Sequence, residues 1–174
     1  MVEDELNVRT LTARDGDAAV TVINTAAAWY REFLDPEQIH QPEMTLDQWL
    51  AEAQRMTWFG GFESDSLVAV MGLEYVSDVA LVRHAYVLPH RQRQGVASLL
   101  HDHLERQTRG VERIIVGTYA ANYKARNALE KAGYRLSPDP VAVLLRYFQI
   151  PQDRLQSSVT YEKLLQGDPR HTCQ

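Results

Sequence analysis

The sequence predicts a mixed α/β chain: one domain with a central mixed sheet and helices on both faces. Three observations carry that expectation. Extended runs rich in apolar and β-branched residues follow one another at 57–63, 67–76 and 79–88. A strand–helix–strand–helix alternation then fills 79–132. The 174 residues contain no repeat, no low-complexity tract and no Gly/Ser/Pro-rich linker, so they suit a single core.

Each element has its own signal. Leu6–Leu11 alternates apolar and polar and reads as a strand. Asp15 opens an amphipathic helix to about Ala28. Residues 29–44, WYREFLDPEQIHQPEM, are irregular. Thr45 caps a helix from Leu46 to about Arg55, with Gln48 at the capping-box position. The strands 57–63 and 67–76 join near Ser64-Asp65, and the strand 79–88 ends at Pro89. Val96, Leu100 and Leu104 recur every four residues along a helix from 96 to 109, with Gly110 as its stop. Arg113–Thr118 is a β-branched strand. Asn122 caps a helix over 123–132, with Ala125, Leu129 and Ala132 on its apolar face and Gly133 at its end. Asp139-Pro140 starts a further helix through Phe148, for which a β-hairpin arm is the competing reading. Ser157–Leu164 is the final strand, and a polar tail follows from Gly167.

Composition narrows the function classes. A chain 45% hydrophobic and 24% charged reads as an ordinary globular protein. The net charge of −5 and the lack of a basic stripe disfavour a nucleic-acid partner, though not a local basic pocket. Cys173 is the sole cysteine, which excludes a disulfide framework within the chain. His101 and His103 lie two apart on one helix, so they face different ways and read as surface residues. No metal site is expected. The start, MVEDELNVRT, is acidic without an apolar core, and no run reaches the length of a membrane span. The expectation is a cytoplasmic protein with no membrane partner.

One stretch asks for a ligand. In LPHRQRQGVASLL, residues 88–100, a strand enters a turn crowded with Arg91, Gln92, Arg93 and Gln94, and a helix leaves it. A helix N-terminus has unpaired N–H groups and partial positive charge, so it stabilises an anion, commonly a phosphate. Gly95 lets the backbone approach that ligand with no Cβ in the way, and Ala97 keeps the first turn small. The Gly-Lys-Ser/Thr ending of a P-loop and the three glycines of a dinucleotide fingerprint are both absent.

What remains, Gln92-x-x-Gly95-x-Ala97, resembles the pyrophosphate-binding motif of the GNAT superfamily, the acyl-CoA-dependent N-acetyltransferases. NYKARNALEKAGYR, 122–135, resembles that family's second signature through Asn122, Ala125, Gly133 and Tyr134. The resemblance covers residues 5–135 and is looser beyond. It implies a GNAT-like domain over 1–166, followed by the polar tail 167–174. Its sheet would be mixed and mostly antiparallel, with splayed parallel fourth and fifth strands and helices on both faces. It implies acetyl-CoA as co-substrate and no metal. The pantetheine arm would pair with backbone from Ala85 through Val87 to Leu88. The pyrophosphate would sit on the amides of Arg93, Gln94, Gly95, Val96 and Ala97, beside Gln92. Asn122 would contact the arm, and Lys131 would reach the phosphates.

Acetyl transfer to an amine needs a deprotonated amine, a polarised thioester carbonyl and a protonated leaving thiolate. Holding both reactants in one cleft can supply about 7 kcal/mol or more of the barrier reduction. The family's usual acid is a Tyr seven residues after the Asn, and here that position is Leu129. Tyr86, a water or the ammonium product are the substitutes. Glu74 and His84 are candidate bases; the alternative for each is a structural role. His84 and Tyr86 share a sheet face by strand alternation. Trp29, Tyr30, His40 and Glu43 are candidate acceptor-pocket residues, although Trp29 and Tyr30 also suit a cap on the core. The expected function is an N-acetyltransferase moving an acetyl group from acetyl-CoA to a primary amine of a small molecule or peptide, by direct attack in a ternary complex. The alternative is a catalytically weak or inactive acyl-CoA-binding sensor. A homodimer through 141–148 and the final strand is an open expectation.

Overall fold

The computed structural model describes residues 5–165; the expected polar tail at 167–174 and Cys173 lie outside them. The strands are β1 Asn7–Thr10, β2 Thr57–Glu63, β3 Ser66–Val76, β4 Val79–Val87, β5 Arg113–Tyr119, β6 Arg135–Leu136 and β7 Ser158–Leu164. The helices are α1 Gly16–Ala27, α2 Leu46–Glu52, α3 Val96–Gln107, α4 Tyr123–Lys131, α5 Pro140–Tyr147 and α6 Gln152–Leu155. Short 3-10 turns interrupt the irregular stretch, at Ala28–Glu32 and Pro36–Gln38.

The caps form as their side chains dictate. At α2 the Gln48 amide donates to Thr45 Oγ1 at 3.2 Å, and the Thr45 amide donates to Gln48 Oε1 at 2.8 Å. Asn122 caps α4 by accepting from the Ala125 amide. Asp139 does the same for Ala142 at the start of α5, with Pro140 in the first position. The 140–147 segment is therefore a helix and not a hairpin arm. β6 has two residues and α6 a single turn, both too short to leave a periodicity in the sequence.

The seven strands run in the order β1-β2-β3-β4-β5-β7-β6. All neighbours are antiparallel except β4 and β5, which are parallel. The β4–β5 ladder comprises only Ala80–Ile114, Leu81–Ile115 and Val82–Val116. Past Val82 the two strands separate, and the backbone of Arg83–Val87 loses its β5 neighbour. At the same point β4 carries a bulge opposite β3: Gly72 faces Arg83, but Val70 faces Tyr86. His84 sits in that bulge at φ 54°.

The extra residue reverses the side-chain parity of β4. Before it, Ala80 and Val82 point to the α3 side, among Met71, Leu100 and Leu104. After it, Tyr86 points to the opposite face, among Val22, Ala26, Trp58 and Val70 under α1 and α2. Val87 now takes the α3 side. His84 and Tyr86 thus share a face, and the bulge makes it the α1/α2 face. Further along that face, Tyr147 of α5 covers Val79, Leu81 and Ile115. Among the described residues no helix is long and apolar enough to cross a membrane.

Candidate functional site

A cavity of about 810 Å³ opens where β4 and β5 part. Its walls come from the β4 bulge and the residues after it, the end of β5, the first turns of α3 and α4, and the 28–30 turn. Two chemically different ends meet there.

The α3 end is built for an anion. Gly95 precedes α3 at φ 79°, and Arg93 also has positive φ at 62°. A Cβ added at Gly95 would meet nothing within 4 Å, so the space before the helix is open. Gln92 Nε2 donates to the Val87 carbonyl at 3.0 Å, which ties the turn to the end of β4. Gln92, Arg93, Gly95, Val96, Ala97, Asn122 and Lys131 line the cavity, as do Ala85 and Val87. Two residues of the sequence-based set do not. Gln94 folds back, donating to the His90 carbonyl at 2.9 Å and accepting from Arg91 at 2.8 Å. Leu88 packs against the α1/α2 core. Asn122 Oδ1 accepts from Trp29 Nε1 at 3.0 Å besides capping α4, so it fastens the 28–32 turn to the site.

The other end is aromatic and polar. Tyr30 donates to the Tyr86 hydroxyl at 3.0 Å, and its ring meets Tyr119 edge-on at 5.0 Å. Burial pushes the Tyr30 hydroxyl up to about 12 and raises the Tyr86 and Tyr119 hydroxyls well above the ordinary phenol value, so all three are neutral phenols. Glu43 pairs with Arg154, whose Nη1 lies 3.1 Å from Oε1 and whose Nη2 lies 3.4 Å from Oε2. His40 is exposed and does not line this cavity; it borders a second hollow of about 290 Å³ that shares Tyr30 and Glu43 with it.

His84 lines the cavity and stacks on Trp58 at 5.4 Å, and Trp58 in turn stacks on Trp49 at 5.5 Å. Its Nε2 lies 3.5 Å from Glu52 Oε2 at the end of α2. Burial would raise the Glu52 carboxyl, but His84, Arg83 and Arg55 outweigh it and hold the group at about 2. Glu74 is outside the cavity lining. Arg83 holds it at 2.8 Å and Arg55 at 3.4 Å.

Sequence reading missed Glu52, Tyr119, Phe148 and Arg154. Tyr119 alone had a legible signal, its place at the end of a parallel strand beside a strand separation. Reading His101 as a surface residue is corrected by its burial at 7% exposure. Position 101 falls beside Leu100 and three before Leu104, inside the apolar arc of α3. Burial, aided by the Lys163 charge, lowers its imidazole from 6.5 to about 4. A group depressed in this way is neutral in the folded chain and protonates more readily when unfolded. Stability therefore falls as the pH drops from 6.5 towards 4, by up to about 3 kcal/mol from this residue. Urea unfolding of the wild type and His101→Gln at pH 7 and pH 4.5 checks it; the variant should lose much less stability on acidification.

Among the described residues, no group of three or more His, Cys, Asp or Glu converges to hold a metal. The model of the acetyltransferase (GNAT) family matches residues 23–134. No curated protein matches the sequence significantly. Solved structures match its fold. PaiA N-acetyltransferase from Thermoplasma acidophilum, solved with coenzyme A, superposes with TM-score 0.72 at 16% identity, over 92% of this chain and 99% of that one. The ribosomal-protein-S18-alanine N-acetyltransferase of Escherichia coli gives 0.67 at 17% identity, over 98% and 100%. An acetyltransferase from Streptococcus agalactiae gives 0.71 at 18% identity, over 92% and 98%. With its parallel pair parted at a bulge and an open, glycine-led helix start beside the gap, the chain belongs to the acetyltransferase (GNAT) family.

Proposed function

We propose that this chain is an N-acetyltransferase that takes acetyl-CoA as co-substrate and a primary amine of a small molecule or peptide as acceptor. The observation that carries the reading is the continuity of one cavity from the α3 turn to the aromatic end through the β4–β5 gap. Acetyl-CoA supplies an activated thioester. The residues present fit it: the space before Gly95 is open, and the β4 backbone past Val82 has no β5 neighbour. The amides of Arg93 to Ala97 bind the pyrophosphate, and the β4 backbone at Ala85 and Val87, which lacks a β5 neighbour, pairs with the pantetheine arm, the Val87 carbonyl being already taken by Gln92. Asn122 and Lys131 contact the arm and the phosphates.

His84 accepts the amine proton from inside the bulge. Stacking on Trp58 and the Glu52 carboxylate fix its ring, so Glu52 is a positioning residue. Tyr86 lines the cavity, and because its hydroxyl accepts from Tyr30 its own proton stays available, which makes it the candidate donor to the departing thiolate. Leu129 is buried in the α3/α4 core and takes no part. Glu74 keeps Arg83 in place and is not a base in this scheme.

Thermal unfolding with and without acetyl-CoA, beside thiol release over a panel of amines, tests the reading. A raised melting temperature with thiol release on an amine supports it. A raised melting temperature with no release on any amine favours the sensor reading. His84→Ala should lower kcat by about 100-fold or more, as loss of a general base does, and leave acetyl-CoA affinity unchanged. An unaltered kcat removes His84 as the base.

A further inference from the structure

We propose that the acceptor is a singly charged primary amine on an apolar, preferably aromatic, body, and that polyamines and free amino acids are selected against. The inference rests on the acetyl-transfer reading for which end of the cavity the amine enters. Its own evidence is the lining of that end. Tyr30, Tyr86, Tyr119, Phe148 and Ile150 form the walls. Their rings give an ammonium a π-face and give an aryl or alkyl group a dry surface. Phe148 closes the floor beside β5, where a Cβ on Gly117 would come within 3.2 Å of its ring.

Charge decides among amines. Among the described residues Glu43 is the only acid lining the cavity, and both its oxygens face Arg154. The pair is internally balanced. A polyammonium chain would need several carboxylates, and Lys124 lies close by with its Nζ 3.7 Å over the Trp29 ring. A free amino acid would bring a carboxylate up to Glu43, while Arg154 is already engaged and the Lys124 ammonium lies over the Trp29 ring. One ammonium fits, held by the aromatic faces of Tyr30, Tyr86, Tyr119 and Phe148. The remainder of the molecule must then be apolar to fill the walls.

The test uses 2-phenylethylamine, L-phenylalanine and spermidine, measured two ways. Isothermal titration into protein saturated with CoA reads acceptor binding without chemistry, and thiol release from acetyl-CoA reads turnover. The expected result is that phenylethylamine binds at least tenfold more tightly than either of the others. Glu43→Gln frees Arg154, so the phenylalanine-to-phenylethylamine affinity ratio should rise at least tenfold; as a ratio within one protein, it is insensitive to a partial folding defect. Spermidine binding as tightly as phenylethylamine overturns the proposal, as does absence of phenylethylamine binding or an unchanged ratio in the variant. The two readings fail differently. Ordered binding with no thiol release retains the acceptor class and removes the transfer; thiol release led by spermidine retains the transfer and removes the acceptor class.

Discussion

Gly95→Glu abolishes the stabilisation of this protein by acetyl-CoA. Two effects act together. The residue stands at φ 79°, where an L side chain costs about 1–2 kcal/mol. Its Cβ would enter open space, so the chain still folds and the loss falls on the ligand. The new carboxylate would occupy the proposed seat of the pyrophosphate and cancel the favourable field of the α3 N-terminus. Affinity should fall at least about 100-fold, or about 3 kcal/mol. Gly95→Ala carries the backbone strain without the charge and should keep most of the affinity. Titration calorimetry with all three proteins separates the two effects. If the Glu variant binds acetyl-CoA as the wild type does, the turn at 92–97 is not the phosphate site.

Arg83→Met is the substitution expected to cost most in stability. Arg83 lies between two carboxylates, with Nη1 2.8 Å from Glu74 Oε2 and 3.5 Å from Glu52 Oε2, and its side chain is 15% exposed. Removing it leaves two poorly solvated acids with Arg55 as their remaining guanidinium partner. Loss of one member of such a group costs about 3 kcal/mol or more. Adding Glu74→Gln removes one orphaned charge and should restore part of that. A double-mutant cycle by urea unfolding measures the coupling. Since Arg83 adjoins the bulge, the single variant should also lose turnover through displacement of His84.

Much of this arrangement is legible in the sequence because it is local. The capping box at Thr45, the Asn122 cap and the Gly95 turn are written in neighbouring residues. So is the run of strands that builds the sheet. The alternation that puts His84 and Tyr86 together survives, but which face they reach depends on the bulge, which no period-two pattern announces. The candidate site is less legible because its parts come from distant segments. Arg154 meets Glu43 across 111 residues, and Tyr30 meets Tyr86 across 56. Glu52 ends a surface-looking helix and becomes a partner of His84 only once α2 lies over the bulge. His101 shows the opposite case. Its burial can be read from the α3 stripe, whereas the two-residue spacing from His103 excludes only a shared metal and does not say which face either imidazole takes. The global charge leaves room for a local basic pocket: the chain carries −5, yet among the described residues the cavity lining has a single acid.

If the backbone at the β4–β5 gap and the α3 turn binds acetyl-CoA, amide hydrogen exchange with and without the saturating ligand should reveal it. New protection is expected at Arg93–Ala97 and at Ala85–Val87, with no comparable change at the outer strand β1. Protection confined to other segments, or none in the turn at saturation, would place the ligand elsewhere.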